Sequence, residues 1–167
     1  MEFPSVTMCN YNMIKNSFYK QYQDDIVGKV VDAFDPFVSQ SLNLTDPAIQ
    51  KQLENLYMVN IARQGAHQID MFINCSFMSN VFNCQDDEVL VQTITQMGIC
   101  YTFQPKQYIE KYGQLDTLRA GDKGGLYLLV DIQQYDYKIG SMKDFAAGLK
   151  VCKVSKATHT NFPDDKS

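Results

Sequence analysis

The chain has 167 residues, 45% of them apolar and 20% charged, with a net charge of −4, which is enough for one packed domain and unlike a disordered chain. Its 15 Lys and Arg are scattered among 19 acids, so no basic face for nucleic acid is expected. No run approaches the roughly 18 to 20 apolar residues that span a bilayer, and no basic-then-apolar leader opens the chain.

The opening segment, Phe3 to Asn12 (FPSVTMCNYN), reads as a strand anchored by Phe3, Val6 and Met8. From Tyr11 to Phe34 the pattern is aromatic, with weak helical spacing at Ile14, Phe18 and Tyr22, and Asp35-Pro36 breaks it. Thr45 or Asp46 caps a helix with Pro47 at its first position. Ile49, Leu53, Leu56 and Tyr57 form its apolar stripe, and Gly65 is its stop. A second helix is expected from about Ala66 to Ser79-Asn80, with Ile69, Phe72, Ile73 and Phe77 on one face. Val89 to Ile94 and Ile99 to Phe103 read as strands, and Gln104 to Gly125 as polar and turn-rich. Leu126 to Ile132 (LYLLVDI) is the strongest strand, apolar enough to suggest burial on both faces. Ala147 to Val154 is a last strand, and the tail from Lys156 has no periodicity. Strands at both ends with helices between them give an α+β class.

Five cysteines, at 9, 75, 84, 100 and 152, point to an oxidising compartment. Two glycosylation sequons agree, at Asn43 and Asn74. Cys75 and Cys84 are close enough in sequence for a disulfide worth about 2.5 to 3 kcal/mol, and their spacing fits no zinc pattern. A Cys9–Cys100 bridge would close a long loop and contribute about 4.5 kcal/mol on the same reckoning. Four cysteines allow three pairings, and the residues alone do not choose among them. Cys152 is left over.

No catalytic constellation stands out. His67 and His159 are expected at the surface and out of reach of a cysteine nucleophile. Gly121-Asp122-Lys123-Gly124-Gly125 lacks the Ser or Thr and the following helix of a phosphate loop, and reads as a turn. Asp86, Asp87 and Glu88 are the densest acids; they are candidates for binding a ligand or sharing a proton, set against a plain solvated loop. The chain is read as no enzyme, with no cofactor.

Several segments together resemble one family. FPSVTMCNYN is similar to the Phe-Pro, strand, Cys-Asn segment that follows the first membrane helix in degenerin/epithelial sodium channels (DEG/ENaC) and acid-sensing ion channels. IDMFINCSF with the next cysteine, MGICYTFQ, GLYLLVDIQQYDY and DFAAGLKV resemble later segments of that family, in family order. The resemblance implies a Cys9–Cys100 and a Cys75–Cys84 disulfide, with Cys152 unpaired. It implies part of a hand-like ectodomain at the plasma membrane's outer side, belonging to a homo- or heterotrimeric, ligand-gated or constitutive sodium channel. Residues 1–12 would be the first palm strand, 13–97 the helical finger region, 98–155 the palm and β-ball strands, and 156–167 a divergent tail. The pore and membrane helices of the family are not in this sequence, so the chain is not expected to conduct alone. The other reading is a truncated secreted or soluble protein that binds channel subunits or peptides. Acid-sensing members carry a carboxylate where this chain has Tyr127, and an acid pair where it has Lys143-Asp144. Asp144 is therefore a weakened proton-sensing candidate, and a peptide is as plausible a ligand as a proton.

Overall fold

The computed structural model describes residues 3–33, 42–113, 124–138 and 147–154. Two antiparallel sheets face each other, and short helices gather beside them, so the class is α+β. Strands β1 (Ser5–Asn10), β4 (Leu90–Thr95), β5 (Gly98–Phe103) and β7 (Leu149–Val154) form one sheet in the order β4-β5-β1-β7. Strands β2 (Phe72–Phe77), β3 (Asn80–Phe82) and β6 (Leu126–Val130) form the other, in the order β3-β2-β6. Helices α1 (Asn16–Tyr22), α2 (Ile26–Ala33), α3 (Pro47–Glu54) and α4 (Met58–Gly65) precede β2, and α5 (Pro105–Tyr112) follows β5.

The core lies between the sheets. Val6 and Met8 of β1 pair with Phe103 and Tyr101 of β5, and pleating sends all four to the same face. Phe77 of β2 meets Phe103 with ring centroids 5.0 Å apart, and Tyr108 of α5 packs edge-on to Phe77 at 5.2 Å and to Phe82 at 5.3 Å. These offset and edge contacts suit the ring quadrupoles and add to plain area burial. On the other face of β1 and β5, Thr7 bonds Thr102 (2.9 Å) and Thr102 bonds Thr93 (3.0 Å). That cross-strand hydroxyl ladder is why the central strand tolerates polar residues on a covered face.

Four expectations need correction. The helix expected from Ala66 to Asn80 is a single 3-10 turn, Ile69–Met71, followed by the β2–β3 hairpin. A register irregularity between Phe72 and Asn74 turns both Phe72 and Cys75 inward, three residues apart. A bulge of that kind breaks the period of two and imitates helical spacing. Met78 and Ser79 both have positive φ (50° and 69°), the geometry of a type I′ hairpin turn, but without the glycine that usually announces it. The helix expected to run from Pro47 to Gly65 is two, because Asn55 ends α3 by donating its backbone N–H to Gln52 and Leu53. Asp46 caps α3 through Ala48 N–H (2.8 Å).

The polar stretch after Gln104 contains α5, with Pro105 in its first turn and Gly113 (φ 88°) beyond its end. That is the usual placing of those two residues, missed because only Pro105 and Tyr108 of the helix are buried. Finally, β6 is an edge strand with one covered face. Leu126, Leu128 and Val130 pack on the core, while Tyr127 and Leu129 are 50% and 59% exposed. At Gly28, any Cβ would run into the Tyr22 carbonyl and the Gln23 backbone, so only glycine lets α2 follow α1 so closely. Asp35-Pro36, Gly121 to Lys123, Lys143-Asp144, His159 and the tail lie outside the described residues.

Candidate functional site

Strand β1 is held on both edges. It pairs with β5 through four residues and with β7 through six. Cys9 and Cys100 sit directly opposite each other, Cα atoms 4.4 Å apart, and are joined by a disulfide. That separation marks a non-hydrogen-bonded antiparallel pair, where side chains approach most closely. The Thr95 hydroxyl lies 3.0 Å from the Cys100 sulfur. Cys75 and Cys84 form the second disulfide, bracketing the β2–β3 hairpin. Cys152 is a free thiol on β7, paired in register with Thr7.

Where β1 ends, a buried polar cluster gathers. Asn10 accepts from the Tyr137 hydroxyl (2.6 Å) and donates to the Ile132 carbonyl (3.0 Å). Asn12 donates to the Lys138 carbonyl (3.1 Å) and presents its oxygen to His67 Nε2 (3.0 Å). Gln133, in the left-handed region, presents its oxygen to His67 Nδ1 (3.0 Å). His67 is thus 3% exposed, against the surface position expected from sequence; its partners come from Asn12 and Gln133, far away in the chain. Around this cluster, Asp136 binds Ser17 through backbone N–H (2.7 Å) and hydroxyl (2.6 Å), standing in for a cap on α1. Lys138 pairs with Asp32 (3.0 Å) and lies over the Tyr19 ring (4.5 Å). Residues 131–138 therefore latch α1 and α2 to the end of β1.

The acidic turn is divided. Asp86 is buried, 7% exposed, rather than solvated as expected, while Asp87 and Glu88 are exposed. Asp86 receives Lys111 Nζ (3.0 Å), the Tyr112 hydroxyl (2.8 Å) and the Glu88 N–H (3.2 Å), so it ties the turn to α5. Burial alone would raise its pKa, but those three donors together hold it below the usual carboxylate value. Such a group stays ionised in mild acid. Among the described residues, no group of His, Cys, Asp and Glu could hold a metal ion.

A pH dependence follows with a definite sign. Burial lowers the pKa of His67, outweighing the Gln133 oxygen and the carboxylates of Asp136 and Asp70, which raise it; Lys15 lowers it further. Below its ordinary value of 6.5 the unfolded chain takes up this proton more readily than the folded chain, where burial outweighs the two amide oxygens that could receive an imidazolium. Stability is then complete above about pH 6.5 and declines as pH falls towards the folded pKa; the Asp86 contribution is lost only at lower pH, below about 3.9. Thermal midpoints recorded across this range should fall in two stages. In His67→Gln the upper stage should vanish, and an unchanged slope there would refute the assignment.

Among the described residues no helix is long and apolar enough to cross a membrane. The family described as "Amiloride-sensitive sodium channel" matches residues 1–166. The chain is similar to acid-sensing ion channel 1B of Danio rerio, 27% identical over 90% of this chain and 27% of the relative. It is 27% identical to acid-sensing ion channel 1 of Gallus gallus, over 90% of this chain and 31% of that protein. With acid-sensing ion channel 4-B of Danio rerio it shares 29% identity over 82% of this chain and 23% of that protein. The chain thus spans less than a third of the length of these relatives.

Proposed function

The chain belongs to the amiloride-sensitive sodium channel family, and from that premise we propose that it forms the finger and upper palm of the extracellular part of a trimeric sodium channel subunit. The observation that carries this reading is the family match over residues 1–166. Two disulfides within the matched region favour the oxidising, outer side of the plasma membrane. In this reading residues 1–12 supply the first palm strand, 13–97 the finger region and 98–155 the palm and β-ball strands. The exposed face of the β3-β2-β6 sheet, with Ile73, Val81, Tyr127 and Leu129, is then a surface for the rest of the subunit.

Gating by shared protons on this chain gains little support. Tyr127 has no carboxyl group with which to share a proton, and Asp86 is held ionised by Lys111 and Tyr112. A ligand-gated or constitutive channel fits these residues better. Expressed in oocytes, the protein carrying this chain should reach the cell surface and produce a sodium current that amiloride reduces. It should do so alone or with a second subunit of the family. Surface expression with no such current in any combination would overturn the reading.

A further inference from the structure

The two sequons sit in opposite local geometries. Asn43-Leu44-Thr45 lies exposed just ahead of α3. The Asn43 Oδ1 accepts from the Thr45 backbone N–H (3.1 Å) and from the Thr45 hydroxyl (2.6 Å), while Asn43 O accepts from Asp46 N–H (3.1 Å). This Asx turn is built from contacts two and three residues apart, so it forms without the rest of the fold. Its bonds fall on the amide oxygen, and the hydroxyl polarises the same amide whose nitrogen would react.

Asn74-Cys75-Ser76 is extended in the middle of β2. Asn74 pairs with Leu129, and Ser76 with Tyr127 and Val81. In a strand, residues two apart are separated by about 6.8 Å, too far for the serine hydroxyl to reach the asparagine amide. The central residue, Cys75, is fully buried in its bridge to Cys84, nine residues away. A loop that short brings its ends together early, and closure fixes the extended form.

We propose that Asn43 carries an N-linked glycan and that Asn74 does not once the Cys75–Cys84 bridge has closed. The inference rests on the extracellular reading above. In the reaction, Asn43 Nδ2 bonds to the anomeric carbon of a lipid-pyrophosphate-linked oligosaccharide. The bond from that carbon to the pyrophosphate oxygen breaks, the lipid pyrophosphate leaves, and the nitrogen gives up one proton. The loop ahead of α3 must then face open solvent in the assembled protein, because a branched sugar leaves no room for a subunit contact there.

The test uses the whole protein expressed in animal cells and digested without reduction. A glycosidase that converts each sugar-bearing Asn to Asp, applied in heavy-oxygen water, marks the occupied sites for peptide mass spectrometry. Asn43 should be marked and Asn74 unmarked, with the Cys75–Cys84 peptide pair found in the same digest. Asn43→Gln should remove one glycan's mass from the intact protein, and Asn74→Gln none. Cys84→Ser together with Cys152→Ser, which leaves the second sequon intact and takes away both thiols that Cys75 could pair with, should raise occupancy at Asn74. An unmarked Asn43 alongside the linked Cys75–Cys84 peptides would overturn the proposal while the extracellular reading stands. A marked Asn74 in the bridged protein would also overturn it. Absence of glycan and disulfide together would sink both.

Discussion

Replacing Cys9 and Cys100 together by serine is expected to cost about 4.5 kcal/mol of stability, against about 2.7 kcal/mol for Cys75 and Cys84 together, on the chain-entropy account of cross-links. The difference comes from loop length, since the first bridge joins residues 91 apart and the second residues 9 apart. Double replacement matters, because a single serine would leave a free thiol to pair wrongly with Cys152. The folded state has little reason to change. Cys9 and Cys100 stay opposite each other in a ladder held by backbone bonds, and Thr95 remains beside them to pair with a new hydroxyl.

The loss should therefore appear in the unfolded chain. Without the long bridge that chain expands and exposes more surface, so in urea the midpoint should fall while the dependence on denaturant steepens. A lowered midpoint with an unchanged slope would mean that the bridge acts on the native state instead. Equal losses for the two double variants would remove the loop-length argument altogether. The consequence for β1 is local as well. Like β5, it is paired with one neighbour and both paired and bridged with the other, so whatever pulls on its N-terminal end pulls on β5 directly.

Legibility in the sequence followed the range of the interactions. Strands β1, β4, β5 and β7 carry alternation or apolar runs over six residues each, and reading these locally was sufficient. Strand β2 was not legible, because a bulge placed Phe72 and Cys75 on one face and the turn used Met78 and Ser79 instead of Asn-Gly. Helix α5 buries a single aromatic turn, so its composition resembles a loop; Pro105 and Gly113 at its ends were the available signals. His67 and Asp86 were misplaced for another reason. Burial of a titratable side chain depends on partners that bond it, here Asn12, Gln133, Lys111 and Tyr112, and those lie 25 to 66 residues away. No window of sequence contains both ends of such a bond. Even Lys111 and Tyr112, at successive positions on α5, reach Asp86 only because the helix folds back over the turn.

Phe103→Ala is expected to cost about 3 to 5 kcal/mol, the usual range for emptying a fully buried aromatic site. Phe103 is 0% exposed and touches rings from every layer of the core: Phe3 at 6.3 Å, Phe77 at 5.0 Å, Phe82 at 5.9 Å and Tyr108 at 6.1 Å. Its position on β5 places it between the two sheets, with α5 closing one end, so the cavity would open where three elements meet. Relaxation into it is limited, because Phe77 and Phe82 belong to a hairpin bracketed by the Cys75–Cys84 bridge. Phe103→Leu should cost less, since it keeps most of the volume. Tyr57→Ser, at a side chain 77% exposed at the N-cap of α4, should cost nothing, because serine there can accept from the first turn's N–H groups. Near-ultraviolet circular dichroism and urea midpoints on the three variants would separate the cases. If Phe103→Ala unfolded no more easily than Tyr57→Ser, the two sheets would not share one core. If it weakened the near-ultraviolet aromatic signal as a whole, loss of a single ring would have loosened the packing well beyond β5.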